Sequence, residues 1–336
     1  MNQRTTSAPP LLKVRNLGVS FASAAGEVHV TRGIDLELAA GERVGLVGES
    51  GCGKTITGLA LMRLLPRAMA RVTGSVWMGD TDLLKCSSAE MNAIRGRRIG
   101  MIFQEPMTAL DPVFSVGHQI AETVRAHFRV SRREASERAV AALDAVGIPS
   151  ARTRFHDYPH QLSGGMRQRA LIAIAIACEP SVLIADEPTT ALDVTIQAQI
   201  VDLLLELSQR QKMAMLFITH NLGAVAACCE RVVTMYAGEI IEDAGVDELL
   251  TRPLHPYSSA LLHSVPRGHK SELRLCSIPG RVPAPSAWPQ GCRFAERCDY
   301  VQPGCTAHTV PLRTPVAKHQ VRCVRSGDLH LKGVVL

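Results

Sequence analysis

Residues 48–55 read Gly-Glu-Ser-Gly-Cys-Gly-Lys-Thr. The run matches G-x-x-x-x-G-K-[ST], a loop whose backbone N–H groups close around phosphate. Gly48, Glu49, Ser50, Gly51, Cys52 and Gly53 are read as the cradle, backed by the partial positive charge of a helix that starts after them. Lys54 is read as the contact to the β- and γ-phosphates, and Thr55 as a hydroxyl ligand of Mg²⁺. A second pair with chemistry is Asp186-Glu187, which ends the apolar run 182–185. A buried strand that ends in carboxylates offers them where open α/β sheets bind ligands. Asp186 suits a Mg²⁺ ligand, and Glu187 a general base for an attacking water. A third group is Cys292, Cys298, Cys305 and Cys323, spaced C-x5-C-x6-C-x17-C. Four thiols can form a tetrahedral S₄ site, which suits zinc or an iron–sulfur cluster. The spacing is wider than structural zinc usually shows, and alone it does not choose.

The elements that position these groups are legible as periodicities. Residues 43–47 form a short apolar run and residues 54–65 a helix pattern, so the glycine loop sits between strand and helix. Strand-like and helical runs alternate from about residue 11 to residue 242, which predicts an α/β domain with a mostly parallel sheet. Strands are predicted at 99–104, 181–186, 214–219 and 232–236, and helices at 132–146, 164–178 and 194–209. Residues 105–162 are mainly helical, which predicts an insertion in the α/β core. The character changes near Asp243: ten of the 19 prolines lie from Pro253 onward. That density excludes long regular elements. The expected division is a nucleotide-binding domain over 1–245, with a helical subdomain at about 105–165, and a small loop-rich extension over 246–336. Such an extension lacks a large core and needs a staple, which the late cysteines could supply.

Composition excludes several classes. Hydrophobic residues make up 46% of the 336, enough for a full core. No apolar stretch approaches the ~20 residues of a membrane helix, and the longest candidate is 170–178. The first ten residues are polar, without the apolar core of a secretory signal, so a cytosolic, reducing setting is expected. In that setting ten cysteines argue against a disulfide framework. The net charge of +6 is scattered, and aromatics for base stacking are few, so no nucleic-acid partner is expected.

Residues 162–168 read Leu-Ser-Gly-Gly-Met-Arg-Gln. Ser163, Gly164 and Gly165 open a helix, and alone they would be a plain cap. Together with the phosphate loop and Asp186-Glu187, they make the chain resemble the ATPase subunits of ABC transporters. The resemblance implies a head-to-tail dimer in which this signature closes over the γ-phosphate held by a partner's loop. It implies that Gln104 is the Q-loop residue, sensing Mg²⁺ and coupling to the membrane subunit. It implies that Ala191-Leu192-Asp193 is the D-loop, which reaches across the dimer, and that His220 is the switch histidine on the γ-phosphate. Asn221 departs from the family's usual Asp, and retained activity is expected because Glu187 and His220 are intact. The adenine-stacking position falls at Ala25, while Phe21, the only aromatic in the first 70 residues, serves either the base or the core.

Longer runs narrow the resemblance. They are Phe-Gln-Glu-Pro-Met-Thr-Ala-Leu-Asp-Pro (103–112), the segments 158–169 and 185–199, His255-Pro256-Tyr257, and Ser-Ile-Pro-Gly-Arg-Val-Pro (277–283). The chain is similar to the dipeptide/oligopeptide/nickel importer subfamily from about residue 11 to residue 323. This implies a P-loop NTPase (ABC ATPase) core with a helical subdomain and a loop-rich C-terminal extension. It implies an ATP- and Mg²⁺-dependent subunit that powers import of di- or oligopeptides. The implied partners are two transmembrane permeases, a second ABC ATPase and, indirectly, an extracytoplasmic substrate-binding protein. The implied location is peripheral, on the cytoplasmic face of the inner membrane. Some members bind a [4Fe–4S] cluster in the extension, so a cluster is expected on Cys292, Cys298, Cys305 and Cys323, with zinc or free thiols as alternatives. A nickel or metal-chelate importer is the nearest alternative function. A soluble ABC ATPase of DNA repair or translation is the alternative of a different class. The first would show a long coiled coil, the second two ATPase domains, and neither pattern is present. A metal-binding regulator with a vestigial loop is disfavoured by intact Lys54, Asp186, Glu187 and His220.

Overall fold

In a computed structural model of the chain, residues 9–23, 26–190, 192–264 and 278–334 are described, with only the backbone of Met107. Ala25, Ala191, Cys276 and Ser277 lie outside the described residues. Among the described residues the strands are β1 (Leu12–Ser23), β2 (Gly26–Leu38), β3 (Arg43–Val47), β4 (Ala70–Met78), β5 (Thr81–Asp82), β6 (Ile99–Ile102), β7 (Val182–Asp186), β8 (Ala214–Thr219), β9 (Arg231–Tyr236), β10 (Glu239–Gly245), β11 (Arg313–Val316) and β12 (His319–Val321). Two compact units interleave along the chain. One holds Met1–Leu12, Glu37–Glu42 and Trp77–Phe217, the other Lys13–Leu36, Arg43–Val76 and Ile218–Leu336.

In the first unit β6 and β7 pair in parallel, Ile99 opposite Val182 through Ile102 opposite Ala185. Every residue of both strands is buried. Strands buried on both faces read as unbroken apolar runs, which is why the sequence betrays them. The strand predicted at 99–104 stops at Ile102, because Phe103 and Gln104 are exposed and leave the sheet. The insertion is helical: Pro106–Ala109, Val116–His127, Arg132–Ala145 and Ala151–Arg154, then the single turn Pro159–Gln161. Ser115 and Ser131 cap its two long helices, each hydroxyl accepting from the backbone N–H three residues on. Those helices pack together, burying Val116, Ile120 and Val124 on one and Ala135, Ala139 and Leu143 on the other. The helices predicted at 164–178 and 194–209 are observed as Gly164–Ile176 and Val194–Gln211.

In the second unit the strand order is β11-β12-β10-β9-β3. β3 runs parallel to β9, Val44 opposite Arg231 through Val47 opposite Thr234, and β10 pairs antiparallel with both β9 and β12. A second sheet runs β2-β1-β4. The helix predicted over 54–65 spans only Lys54–Leu61. Arg63 then takes φ +52, and Pro66, whose ring disfavours helix in the residue before it, follows. The extension is more than an appendage of loops, for it adds β11 and β12 to the sheet. Its strands escape periodicity because one is three residues long and the other contains Pro315. Glu242 on β10 ties the extension down. Fully buried, it accepts from the N–H groups of Leu254 (2.6 Å) and His255 (3.1 Å) and pairs with His319 Nε2 at 2.7 Å. His255 in turn caps the helix Pro256–His263, its Nδ1 accepting from the Tyr257 N–H at 3.0 Å. Burial pushes His255 down to about 3, so the neutral ring that this cap requires is the form present. No helix among the described residues is long and apolar enough to cross a membrane.

Candidate functional site

The phosphate loop lies in the second unit, between β3 and the helix Lys54–Leu61. Its glycines are there for geometry. Gly53 takes φ +105, and a Cβ on it would stand 2.8 Å from Thr31 Cγ2. Gly48 takes φ +153, and a Cβ there would collide with the Met235 carbonyl oxygen. No side chain caps the helix, so its first N–H groups stay directed into the loop. Lys54 is buried and folds back over the loop, its Nζ donating to Gly48 O at 2.8 Å and Glu49 O at 3.1 Å. The Cys52 thiol is raised by burial and stays protonated. Glu49 is gripped from outside the loop. Its N–H donates to Tyr257 Oη at 2.8 Å, and its carboxylate takes both Arg297 amino groups, at 2.7 and 2.9 Å. Thr55 also has a partner in the fold.

In the first unit β7 carries Asp186, 2% exposed, at its end, and Glu187 follows. Glu187 takes φ +49, a conformation that costs a non-glycine residue energy and collects at functional sites. Thr190 Oγ1 donates to Glu187 Oε2 at 2.7 Å and Thr190 N–H to Glu187 O at 3.1 Å, so a tight turn holds the carboxylate.

The signature and the D-loop come together in that same unit. Ser163 caps the helix Gly164–Ile176, its Oγ accepting from Met166 N–H at 3.3 Å. A Cβ on Gly165 would stand 3.1 Å from Ile196 Cγ2, and one on Gly164 would stand 3.9 Å from Leu192 Cδ2. Ser163, Gly164 and Asp193 are exposed, and so is the apolar Val194, at 82%. Gln104 is exposed just past β6. His220, in the other unit, is exposed just past β8. Asn221, the departure noted above, caps the helix Leu222–Cys228, its Oδ1 accepting from Gly223 N–H (2.9 Å) and Ala224 N–H (3.2 Å). Either Asn or Asp can do this, so the departure leaves the cap in place. Phe21 is half-buried on β1.

Cys292, Cys298, Cys305 and Cys323 line a single small cavity of about 20 Å³, together with His255, Tyr300 and Leu329. The Cys292 N–H donates to Cys305 O at 2.7 Å, joining two of the segments. Burial, with neighbouring cysteines adding to it, pushes Cys292 up to about 12 and Cys323 up to about 11. The donor set suits a thiolate-bound group in kind and in shared location. As the side chains stand, no three His, Cys, Asp or Glu among the described residues form a metal-binding group.

Sequence reading missed Arg297, Tyr257 and Thr190. Thr190 lies three residues from Glu187, within reach of a turn argument. Arg297 lies 248 residues from Glu49, and no local pattern announces that contact.

Residues 31–190 match the ABC transporter family, and residues 241–305 match the oligopeptide/dipeptide transporter C-terminal region. A protein of Brucella melitensis named as a peptide import ATP-binding protein is 49% identical over 331 residues, 95% of this chain and 98% of the relative. A peptide ABC transporter ATP-binding protein of Sinorhizobium fredii is 49% identical over 334 residues, 97% and 98% of the two chains. Among solved structures, a dimeric ATP-binding cassette in a post-hydrolysis state with ADP and Pi superposes with a TM-score of 0.62 at 25% identity, covering 70% of this chain and 98% of its own. The chain belongs to the ABC transporter family as an ATP-binding protein, an ATPase coupled to transport, in the branch that carries the oligopeptide/dipeptide C-terminal region.

Proposed function

We propose that this ATPase powers import of di- or oligopeptides as half of a head-to-tail ATPase dimer beneath two permeases, peripheral to the cytoplasmic face of the membrane. The observation that carries the reading is the oligopeptide/dipeptide region at residues 241–305, joined to near full-length relatives named for peptide import. The organisation proposed is a nucleotide-binding domain over 1–245, with its helical subdomain at about 105–165, and an extension over 246–336. The exposed Phe103 just past β6, with Val113, Phe114 and Tyr158 of the helical insertion, suits a permease contact. The exposed Ser163, Gly164, Asp193 and Val194 suit a partner ATPase, and the similar cassette of known structure is dimeric.

In this reading the backbone of residues 48–55 binds the phosphates and Lys54 swings from Gly48 O and Glu49 O onto them. Thr55, Asp186 and Gln104 would hold Mg²⁺, which would stabilise the negative charge that builds on the leaving group. Glu187, fixed by Thr190, accepts a proton from the attacking water. His220 and the partner's signature enclose the γ-phosphate. A complex purified from native membranes in gentle detergent tests the import reading. Two permeases, a second ATPase and ATP turnover stimulated by peptide and its binding protein are expected. Stimulation by a nickel chelate instead would make this a metal importer, and recovery without permeases would favour a soluble ABC ATPase.

The finer reading of the extension is a [4Fe–4S] cluster on Cys292, Cys298, Cys305 and Cys323, with a structural role. Its support is four soft donors on one cavity. Iron and acid-labile sulfide should be found in protein purified without oxygen. Zinc alone would replace the cluster by a zinc site, and absence of all three would leave free thiols.

A further inference from the structure

The phosphate loop carries an acid. Glu49 is the second residue of the loop, and a carboxylate there opposes the negative charge that the loop must bind. The cation that answers it comes from the extension. Arg297 is 5% exposed in its side chain and makes the two-pronged pair with Glu49. Other groups hold that guanidinium. Its Nε donates to Pro279 O at 2.7 Å, and its amino groups to Ile278 O at 3.3 Å and Tyr236 Oη at 3.2 Å. The rings of Tyr236 and Phe294 lie 5.7 and 5.9 Å from it. The cation thus has contacts that do not depend on Glu49, and among the described residues Arg297 is the ion-pair partner of Glu49.

We infer that Arg297 is a positioning residue of the nucleotide site: it neutralises Glu49 and thereby sets the affinity of the phosphate loop for ATP. The C-terminal extension is then part of the ATP site of its own chain. The inference rests on the reading of residues 48–55 as the phosphate site, and the two can fail separately.

The test is ATP binding to the full chain, by calorimetry, for five variants whose fold is checked by thermal melting. Lys54→Ala should lose binding; if it binds ATP as the parent does, the phosphate-site reading fails first. With that control in place, Arg297→Gln should weaken ATP binding about tenfold, the order expected for one uncompensated charge near the phosphates. Arg297→Lys should lie between Arg297→Gln and the parent. Glu49→Gln should move the other way and tighten binding, because Arg297 stays in place and faces the phosphates alone. The double variant should recover most of what Arg297→Gln loses. A contact that only braces the loop gives a different pattern: both single variants weaken binding, and the double is no better than either. That pattern overturns the inference. If Arg297→Gln does not fold, the direction of the Glu49→Gln change decides alone.

Discussion

Glu187 shows what one residue contributes. Its carboxylate is held by Thr190, and its backbone sits at φ +49, a cost that the turn after β7 must sustain. Glu187→Gln keeps the shape and removes the carboxylate proposed as base. ATP turnover should fall on the order of 10²–10⁴-fold, the usual weight of general base catalysis. Binding of ATP should stay near the parental value. Steady-state hydrolysis beside equilibrium binding checks both halves, and unchanged hydrolysis would remove Glu187 from the role of base. At this scale the sequence is most legible, because the residues proposed to act together, Lys54 and Thr55 or Asp186 and Glu187, are neighbours in the chain. Asn221 is intelligible only in the fold, where its Oδ1 caps a helix. Replacing that cap by Ala should cost about 1 kcal/mol, and Asp much less. Urea unfolding of Asn221→Ala and Asn221→Asp measures the difference.

Elements were legible in proportion to their burial and length. β6, β7 and β8, buried throughout, show as apolar runs. β11 and β12 were illegible, because what seats β12 is a polar contact made far along the chain. Glu242 of β10 collects two backbone N–H groups before the helix Pro256–His263 and the ring of His319. Removing it takes the acceptor from three donors, two of them buried. Glu242→Ala should therefore destabilise the protein by about 3–5 kcal/mol, as breaking a buried pair from one side does. The loss should concentrate in the extension, so hydrogen exchange at the β12 amides should accelerate more than exchange in β6 and β7. A uniform acceleration would mean that β12 is held by the rest of the sheet and not by Glu242.

Over the whole molecule, the two functional halves fall in different units. The phosphate loop and His220 belong to one, and Gln104, Asp186, Glu187, the signature and Asp193 to the other. The signature is a helix start whose serine already caps its own helix, with exposed glycine and an exposed apolar Val194 nearby. A motif built this way does no chemistry for itself unless a phosphate is brought to it. Sequence alone could suggest that only through family resemblance, since Ser-Gly-Gly is otherwise a plain cap. The head-to-tail proposal makes a separable claim about Ser163. In Ser163→Arg the isolated chain should bind ATP as tightly as the parent, because its phosphate loop is untouched. In the assembled transporter, ATP turnover should fall at least about tenfold, because the partner's γ-phosphate loses its cover. If the isolated chain also loses ATP affinity, the signature serves the site of its own chain and the head-to-tail arrangement is wrong. If turnover in the assembly is unaffected, the exposed face around Ser163 and Val194 is not the ATPase interface, and the permease-facing insertion becomes the next surface to test.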